Sequence, residues 1–208
     1  MRRLDAQEVV LVAHDMGTSV ATELLARDVE GTLPFGLSAV LLLNGSMVIE
    51  RASLTLSQRL LRSRFGPVAA RLSSERGFRA SFGRLFSDSH PLTPAEAADQ
   101  WALLAREGGN RILDRLTQYL HERVTFAERW HGALRDWEGQ LELAWAMRDP
   151  VATGAVLDAV LDLRPAAPVT RFEELGHYLQ LEAPEAVAPI VARVAGIASY
   201  AGGQPSSD

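Results

Sequence analysis

The sequence predicts an α/β protein, in which a parallel sheet carries flanking helices and a helical cap is inserted between two of its strands. Two observations indicate this class. Four short apolar runs, rich in valine and leucine, are typical of strands buried on both faces of a sheet, and they alternate with helical patterns. Between residues 45 and 139 the alternation stops, and helical patterns follow one another without a strand.

The elements of the sheet region are assigned from the spacing of their apolar residues. Strand patterns cover residues 8–14, 38–43, 141–146 and, more weakly, 169–172. Helical patterns outside the cap cover residues 17–28, 154–163 and 184–198. A strand that leads into a helix and then into another strand, repeated along the chain, predicts a parallel sheet.

The cap is predicted to contain only helices. Its helical patterns cover residues 57–64, 74–85, 94–106 and 111–134. Thr93 and Glu96, three residues apart, predict a capping box at the start of the third of these helices. The expected domains are therefore a sheet core over 1–45 and 140–200, a cap over 46–139 and a disordered tail over 201–208.

Composition argues against several classes of function. The 208 residues have a net charge of −5 and no long basic run, so nucleic acid is not an expected partner. There is no cysteine, and the five histidines show no ligand spacing, so neither a metal nor an organic cofactor is predicted. No apolar run approaches the roughly 20 residues that span a bilayer, and we expect a cytoplasmic protein without a transmembrane segment.

The turn after the first strand is the most informative segment. Val10 to Ala13 leads through His14 and Asp15 into Met16-Gly17, so that a buried strand meets a helix at Asp15, between the small residues Ala13 and Gly17. A central residue in such a sharp turn projects from the carboxyl edge of the sheet. We interpret Asp15 as a nucleophile, although aspartate is also a common helix N-cap. The backbone N–H of Met16 is then predicted to stabilise developing negative charge.

Two further residues follow strand ends in the order that a nucleophile, an acid and a base require. Asp149 follows the third strand, and His177 follows the fourth. The carboxyl ends of parallel strands share one edge of a sheet, so we expect Asp15, Asp149 and His177 to form a catalytic triad. A carboxylate that attacks a saturated carbon forms a stable alkyl ester, which His177 can help water to hydrolyse. Epoxides and carbon–halogen bonds are suitable electrophiles.

These motifs resemble those of known enzymes. Residues 12–17 (VAHDMG), Asp149-Pro150 and residues 176–185 (GHYLQLEAPE) resemble the epoxide hydrolase and haloalkane dehalogenase branch of the α/β-hydrolases. Cap segments such as 118–120 (QYL) and 129–134 (RWHGAL) resemble the mesoderm-specific transcript protein and its bacterial relatives. The resemblance covers residues 9 to about 190. It implies a cap-containing hydrolase of small apolar electrophiles, with Asp15 as nucleophile, Asp149 as acid and His177 as base.

The expected pocket departs from that pattern in two respects. Haloalkane dehalogenases usually have a tryptophan where this chain has Met16, and a thioether cannot donate a hydrogen bond to a halide. Epoxide hydrolases protonate the alkoxide with cap tyrosines, and Tyr119 is the one tyrosine of the predicted cap. We favour a packing role for Tyr119 over proton donation. Trp130 and His14 are further expected pocket residues, although Trp130 and His131 could equally pack the long helix. Tyr178, beside His177, could reach the site, but its place in the family pattern suggests packing.

The resemblance also implies strands before residue 8 that this sequence lacks. Residues 9–12 are then expected to form an exposed apolar edge, which favours self-association or aggregation. On this interpretation the chain is the C-terminal part of an α/β-hydrolase. The alternative to an enzyme is a truncated, catalytically impaired homologue that serves as a binding module, or a gene fragment.

Overall fold

The computed structural model of the protein describes residues 7–197 and contains one sheet of four parallel strands. The strands are β1 (Glu8–His14), β2 (Gly36–Leu43), β3 (Gln140–Ala146) and β4 (Val169–Phe172). They lie side by side in chain order, β1-β2-β3-β4, and every neighbouring pair is parallel. The predicted parallel sheet is confirmed, and each strand begins and ends within two residues of its predicted bounds. The expected tail at 201–208 lies outside the described residues.

Helices cover both faces of this sheet. One face packs against α1 (Gly17–Val29), α8 (Ala127–Asp136) and α9 (Gly154–Leu163), and the other packs against α10 (Leu179–Glu182) and α11 (Pro184–Val194). The side chains of β2 alternate between the two faces, with Val40 and Leu42 in one core cluster and Leu41 and Leu43 in the other. This double burial explains the nearly continuous apolar run of β2.

The long segment between β2 and β3 is helical, as predicted. It contains α2 (Leu56–Leu61), α3 (Gly66–Arg71), α4 (Glu75–Phe82), α5 (Pro94–Ala105), α6 (Leu113–Leu116) and α7 (Tyr119–Thr125), followed by α8. The capping box at the start of α5 is present: the Thr93 hydroxyl accepts from the Glu96 N–H, and the Glu96 carboxylate accepts from the Thr93 N–H. Helix α3 was not predicted, because Gly66 and Pro67 at its start also suit a turn.

The single helical pattern predicted over 111–134 is wrong. The structure divides this segment into α6, α7 and α8, with breaks at Thr117-Gln118 and at Phe126. The Thr117 hydroxyl donates to the carbonyl of Asp114, a side-chain bond that competes with the helical ladder. Phe126 has φ −104° and ψ 16°, outside helical geometry, so α8 starts in a new direction and packs along α1.

Strand β1 forms one edge of the described sheet. It is paired only with β2, and Val12 is 39 % exposed, whereas Ala13 beside it is buried. The apolar edge expected over residues 9–12 is therefore present in the described part of the chain. In residues 7–197 no helix is both long enough and apolar enough to cross a membrane.

The packing of α1 on the sheet can be tested with a matched pair of variants. Leu25 is fully buried in α1, whereas Val20 on the same helix is 60 % exposed. Leu25→Ala should lower the free energy of unfolding by about 2–5 kcal/mol, because it leaves a cavity that the sheet cannot fill. Val20→Ala should change it by no more than about 0.5 kcal/mol. Urea unfolding followed by circular dichroism gives both values, and equal effects would contradict this packing.

Candidate active site

Asp15 occupies a strained turn between β1 and α1. Its φ of 45° lies in the left-handed region that residues other than glycine seldom adopt. The turn is held by the Asp15 carbonyl, which accepts from the N–H of Thr18 at 3.1 Å and from its hydroxyl at 2.6 Å. Gly45 makes room for that threonine, because a Cβ at Gly45 would lie 2.2 Å from the Thr18 hydroxyl. The carboxylate of Asp15 is thereby presented at the carboxyl edge of the sheet.

The structure brings Asp15, Asp149 and His177 together. His177 Nδ1 lies 2.7 Å from Asp149 Oδ2, and His177 Nε2 lies 3.7 Å from Asp15 Oδ2. Both His177 and Asp149 are buried, whereas the side chain of Asp15 is 28 % exposed. The imidazole therefore lies between a buried carboxylate that orients it and an accessible carboxylate that faces open space.

Asn44, at the end of β2, holds Asp149 in place. It is fully buried, with φ 26°, and its side-chain N–H₂ donates to Asp149 Oδ2 at 2.8 Å. Its carbonyl oxygen accepts from the Ala146 N–H at 2.7 Å, which fixes the amide orientation. The other oxygen of Asp149 accepts from the Val151 N–H at 2.7 Å. The sequence did not predict this role of Asn44, and the available signal was a polar residue directly after a buried strand, before Gly45.

The charges of the three groups support one another. Burial opposes the charged form of His177, but the carboxylates of Asp149 and Asp15 outweigh it and raise the pKa of His177 to about 10. Burial also opposes the charge on Asp15, yet His177 and Arg123 together hold the pKa of Asp15 below its ordinary value. At neutral pH the imidazole of His177 is therefore protonated beside the ionised carboxylate of Asp15.

His14 lies behind His177. Its Nδ1 accepts from the Gln180 amide at 3.2 Å, so its Nε2 bears the hydrogen and donates to the carbonyl of His177 at 2.8 Å. Burial, followed by the positive charge of His177, lowers the pKa of His14 to about 4. His14 therefore supports the loop that bears His177, and it is absent from the described cavity lining.

Arg123, which sequence reasoning missed, joins the cap to the turn of Asp15. This α7 residue is fully buried, and its guanidinium donates to the carbonyl of Asp15 at 2.7 Å and to the hydroxyl of Ser19 at 2.8 Å. It also donates to the hydroxyls of Thr18 and Ser46. These acceptors are neutral, so the positive charge is available to the nearby carboxylate of Asp15.

A cavity of about 680 Å³ lies between the cap and the sheet edge. Asp15 and His177 border it on the sheet side, together with Tyr178. Its cap wall is mostly apolar and includes Leu60, Leu72, Phe78, Phe82, Trp101 and Leu104. No group of three or more His, Cys, Asp or Glu side chains in residues 7–197 is arranged to hold a metal ion.

The other expected pocket residues are placed differently. Tyr119 lies outside the described lining, where its hydroxyl accepts from Gln58 at 3.4 Å and its ring packs under the Arg123 guanidinium. Trp130 does not reach the cavity, because its indole N–H donates to Glu23 of α1 at 3.0 Å and its ring stacks on Phe126. The side chain of Met16 is 44 % exposed and is likewise absent from the described lining.

His131 and Tyr178 differ in their relation to the cavity, and Tyr178, for which packing was favoured, does border it. His131 does not line the described cavity, and its Nε2 lies 3.3 Å from the carbonyl oxygen of Met47. Tyr178 borders the cavity, where its ring stacks with Phe86 and contacts Phe82 and the imidazole of His177. Of the tyrosines described, Tyr178 is the one that lines the cavity.

Comparison of sequences identifies relatives of this chain. A family model described as "Alpha/beta hydrolase family" matches residues 1–190. A Mycobacterium tuberculosis protein, LipZ, is 56 % identical over 180 residues, which cover 86 % of this chain and 62 % of LipZ. The mouse mesoderm-specific transcript protein is 29 % identical over 188 residues, covering 87 % of this chain and 56 % of that protein. The chain thus spans less than two thirds of the length of these relatives.

Solved structures share the fold at low sequence identity. A loop variant of haloalkane dehalogenase DbeA from Bradyrhizobium elkanii superposes with a TM-score of 0.71 at 21 % identity, covering 94 % of this chain and 70 % of that one. The 2-hydroxy-6-oxo-6-phenylhexa-2,4-dienoate hydrolase of Rhodococcus sp. strain RHA1 has a TM-score of 0.65 at 15 % identity, covering 94 % and 66 %. Both similarities concern the fold alone.

The buried, neutral state of His14 predicts a pH dependence of stability. A folded pKa of about 4, below the ordinary 6.5, means that the unfolded chain binds a proton first as the pH falls. As the pH falls from 6.5 to 4, the protonation of His14 in the unfolded chain should therefore lower the free energy of unfolding by up to about 1.4 kcal/mol per pH unit. His14→Asn should abolish this contribution. Below about pH 5.5 His177 is protonated in both states, so it adds almost no slope in the lower part of that window. Urea unfolding across this range, with exposed His121→Asn as control, measures the difference, and equal slopes in all three proteins would contradict it.

Loss of the Arg123 guanidinium should destabilise the junction of cap and turn. Arg123→Met keeps the volume but removes the donor to the buried hydroxyls of Ser19 and Ser46 and one of the donors to the Asp15 carbonyl, which should cost about 3 kcal/mol or more. Arg115→Met, an exposed site on α6, should change stability by less than about 0.5 kcal/mol. Denaturant unfolding compares the two, and a near-neutral Arg123→Met would refute the structural role given to this side chain.

Proposed function

The chain belongs to the alpha/beta hydrolase family, and we propose that it hydrolyses an apolar alkyl electrophile, most suitably an epoxide, through a covalent ester on Asp15. One observation carries the proposal: the residue at the strained turn that borders the apolar cavity is a carboxylate, and it lies 3.7 Å from the imidazole of His177. A carboxylate that attacked an ester carbonyl would form a reactive anhydride. Attack on a saturated carbon forms a stable alkyl ester instead.

In the first step, an oxygen of Asp15 attacks a ring carbon of the epoxide and the ring carbon–oxygen bond breaks. The oxygen released from that bond needs a proton. Tyr178 and Tyr119 are the candidate donors, because burial and then the charge of Asp15 raise the pKa of each and keep the phenol protonated. Tyr178 borders the cavity, whereas Tyr119 lies behind Gln58, so Tyr178 is favoured.

In the second step, His177 acts as a general base. Ester formation removes the negative charge of Asp15, which is one of the two charges that raise the pKa of His177, so the imidazole becomes easier to deprotonate. His177 gives its proton to the tyrosinate of Tyr178, whose ring contacts the imidazole, and becomes neutral. Neutral His177 then takes a proton from water, and hydroxide adds to the carboxyl carbon of Asp15. The N–H of Met16, at the start of α1, can stabilise the resulting oxyanion. The intermediate collapses as His177 gives that proton to the departing alcohol, and the carboxylic acid of Asp15 then returns its proton to His177.

The same residues favour an epoxide over a haloalkane. Release of a halide from carbon needs hydrogen-bond donors beside the leaving atom. The residue after the nucleophile is Met16, whose side chain has no donor and is absent from the described cavity lining. Epoxide opening requires a proton donor instead, and a tyrosine borders the cavity.

The alkyl ester can be trapped by removing the base. His177→Ala, treated with epoxides that carry alkyl or aryl chains, should accumulate one adduct per chain, because the ester forms but water is not activated. Intact mass spectrometry shows the added mass, and peptide mapping should place it on Asp15. The double variant Asp15→Asn with His177→Ala is the negative control. His131 lies outside the cavity lining, so His131→Ala alone should behave as the wild-type protein does. Absence of any adduct across the panel would instead support a binding module.

A further inference from the structure

The first part of the cap has a charge opposite to that of the whole chain. Residues 49–85 contain eight arginines and two glutamates, a net charge of +6, in a chain whose net charge is −5. All eight arginines are exposed. In the described part of the chain, none of them forms an ion pair with a carboxylate. Their charge is therefore available to a ligand outside the chain.

Large apolar side chains are exposed on α2 and α3, which lie within this basic part of the cap. On α2, Leu56 is 75 % exposed and Leu60 is 50 % exposed, and they are four residues apart on one helical face. Phe65, Val68 and Leu72, which lie three and four residues apart along α3 and its two ends, also share one helical face, and each is more than half exposed. The Arg64 guanidinium lies 4.8 Å from the centre of the Phe65 ring, so cationic and apolar groups are interleaved. We call these five apolar residues, with Arg59, Arg62, Arg64 and Arg71, the basic apolar face.

This face is continuous with the mouth of the cavity. Leu60 and Leu72 belong both to the exposed apolar residues and to the cavity lining, and so does Leu103 of α5. Their side chains connect the apolar interior of the cavity with the outer surface of α2 and α3. An apolar molecule held at this surface could enter the cavity over these leucine side chains, since Asp15 and His177 are the charged residues of the described lining.

We propose that the basic apolar face docks the chain on an anionic lipid bilayer, with the cavity mouth turned towards the membrane. A helix that carries apolar side chains on one side can insert them among the acyl chains of a bilayer. Arginines around that side can pair with the lipid phosphates. An acidic protein would satisfy the arginines equally well. The bilayer is favoured because the apolar stripes lead into an apolar cavity, which gives a membrane-dissolved molecule a route to Asp15.

Co-flotation with vesicles tests the docking surface directly and requires no catalysis, so its outcome is independent of the proposed reaction. Vesicles of phosphatidylcholine alone are compared with vesicles in which about one third of the lipid is phosphatidylglycerol. The wild-type chain should bind the anionic vesicles at low salt and release them as salt screens the charges. Arg59→Gln with Arg62→Gln and Arg64→Gln should weaken binding roughly fivefold per arginine, about 100-fold in all.

Matched variants separate this face from general surface effects. Leu56→Ser with Leu72→Ser should weaken binding, whereas Val20→Ser with Val29→Ser, at exposed sites on α1, should not. The exposed arginines 135, 148 and 171, changed to glutamine, are the control for charge. Circular dichroism confirms that each variant is folded. Equal binding to both vesicle types, or unchanged binding of the cap variants, would overturn the proposal. Binding to polyglutamate but not to anionic vesicles would assign the face to an acidic protein instead.

Discussion

The buried guanidinium of Arg123 is the constraint on which the arrangement of the site depends. Asp15 can face the cavity only if its backbone stays in a left-handed conformation, and the carbonyl of that residue accepts from both Thr18 and Arg123. Because Arg123 belongs to α7, the cap and the turn cannot separate without leaving buried polar groups unpaired. The cavity between them therefore has a fixed wall near Asp15, and its more exposed wall lies towards α2 and α3.

The sheet was predictable because each of its strands is a short apolar run that ends at a polar residue or a turn. The central strands β2 and β3 are buried on both faces, and their bounds lie within two residues of the predicted ones. The edge strands β1 and β4 are less buried, and they also begin and end at the predicted residues. The cap was less predictable, since its helices are short and partly exposed. Over residues 111–134 an apolar period continues through Thr117 and Phe126, where local hydrogen bonds and a change of direction end one helix and start another. A period shows which residues favour a helix, but it does not show where tertiary packing interrupts it.

The same distinction applies to the candidate site. Asp15, Asp149 and His177 could be proposed from sequence because each follows a strand end, and parallel strands bring those ends to one edge. Arg123 could not. On α7 the apolar residues Leu120 and Val124 suggest the buried face, yet Val124 is 54 % exposed and Arg123 is buried beside Leu120. The guanidinium is buried there because it donates to four oxygen atoms from the turn of Asp15 and its neighbours. These acceptors are distant in sequence, so the residues around Arg123 do not predict them.

The distribution of charge follows from these constraints. A chain with a net charge of −5, if uniformly charged, would be repelled by an anionic surface. Here the acidic residues lie mainly outside residues 49–85. Charges farther away than a Debye length of about 8–10 Å are largely screened, so a ligand close to the basic apolar face meets the positive charge of its arginines. Within residues 7–197, the separation would also orient the molecule, because the basic apolar face is attracted to an anionic surface and the acidic remainder is repelled. The basic apolar face adjoins the cavity mouth, and Arg123 holds the inner wall of the cavity against Asp15. An apolar ligand that enters from the membrane would therefore be directed towards the carboxylate of Asp15.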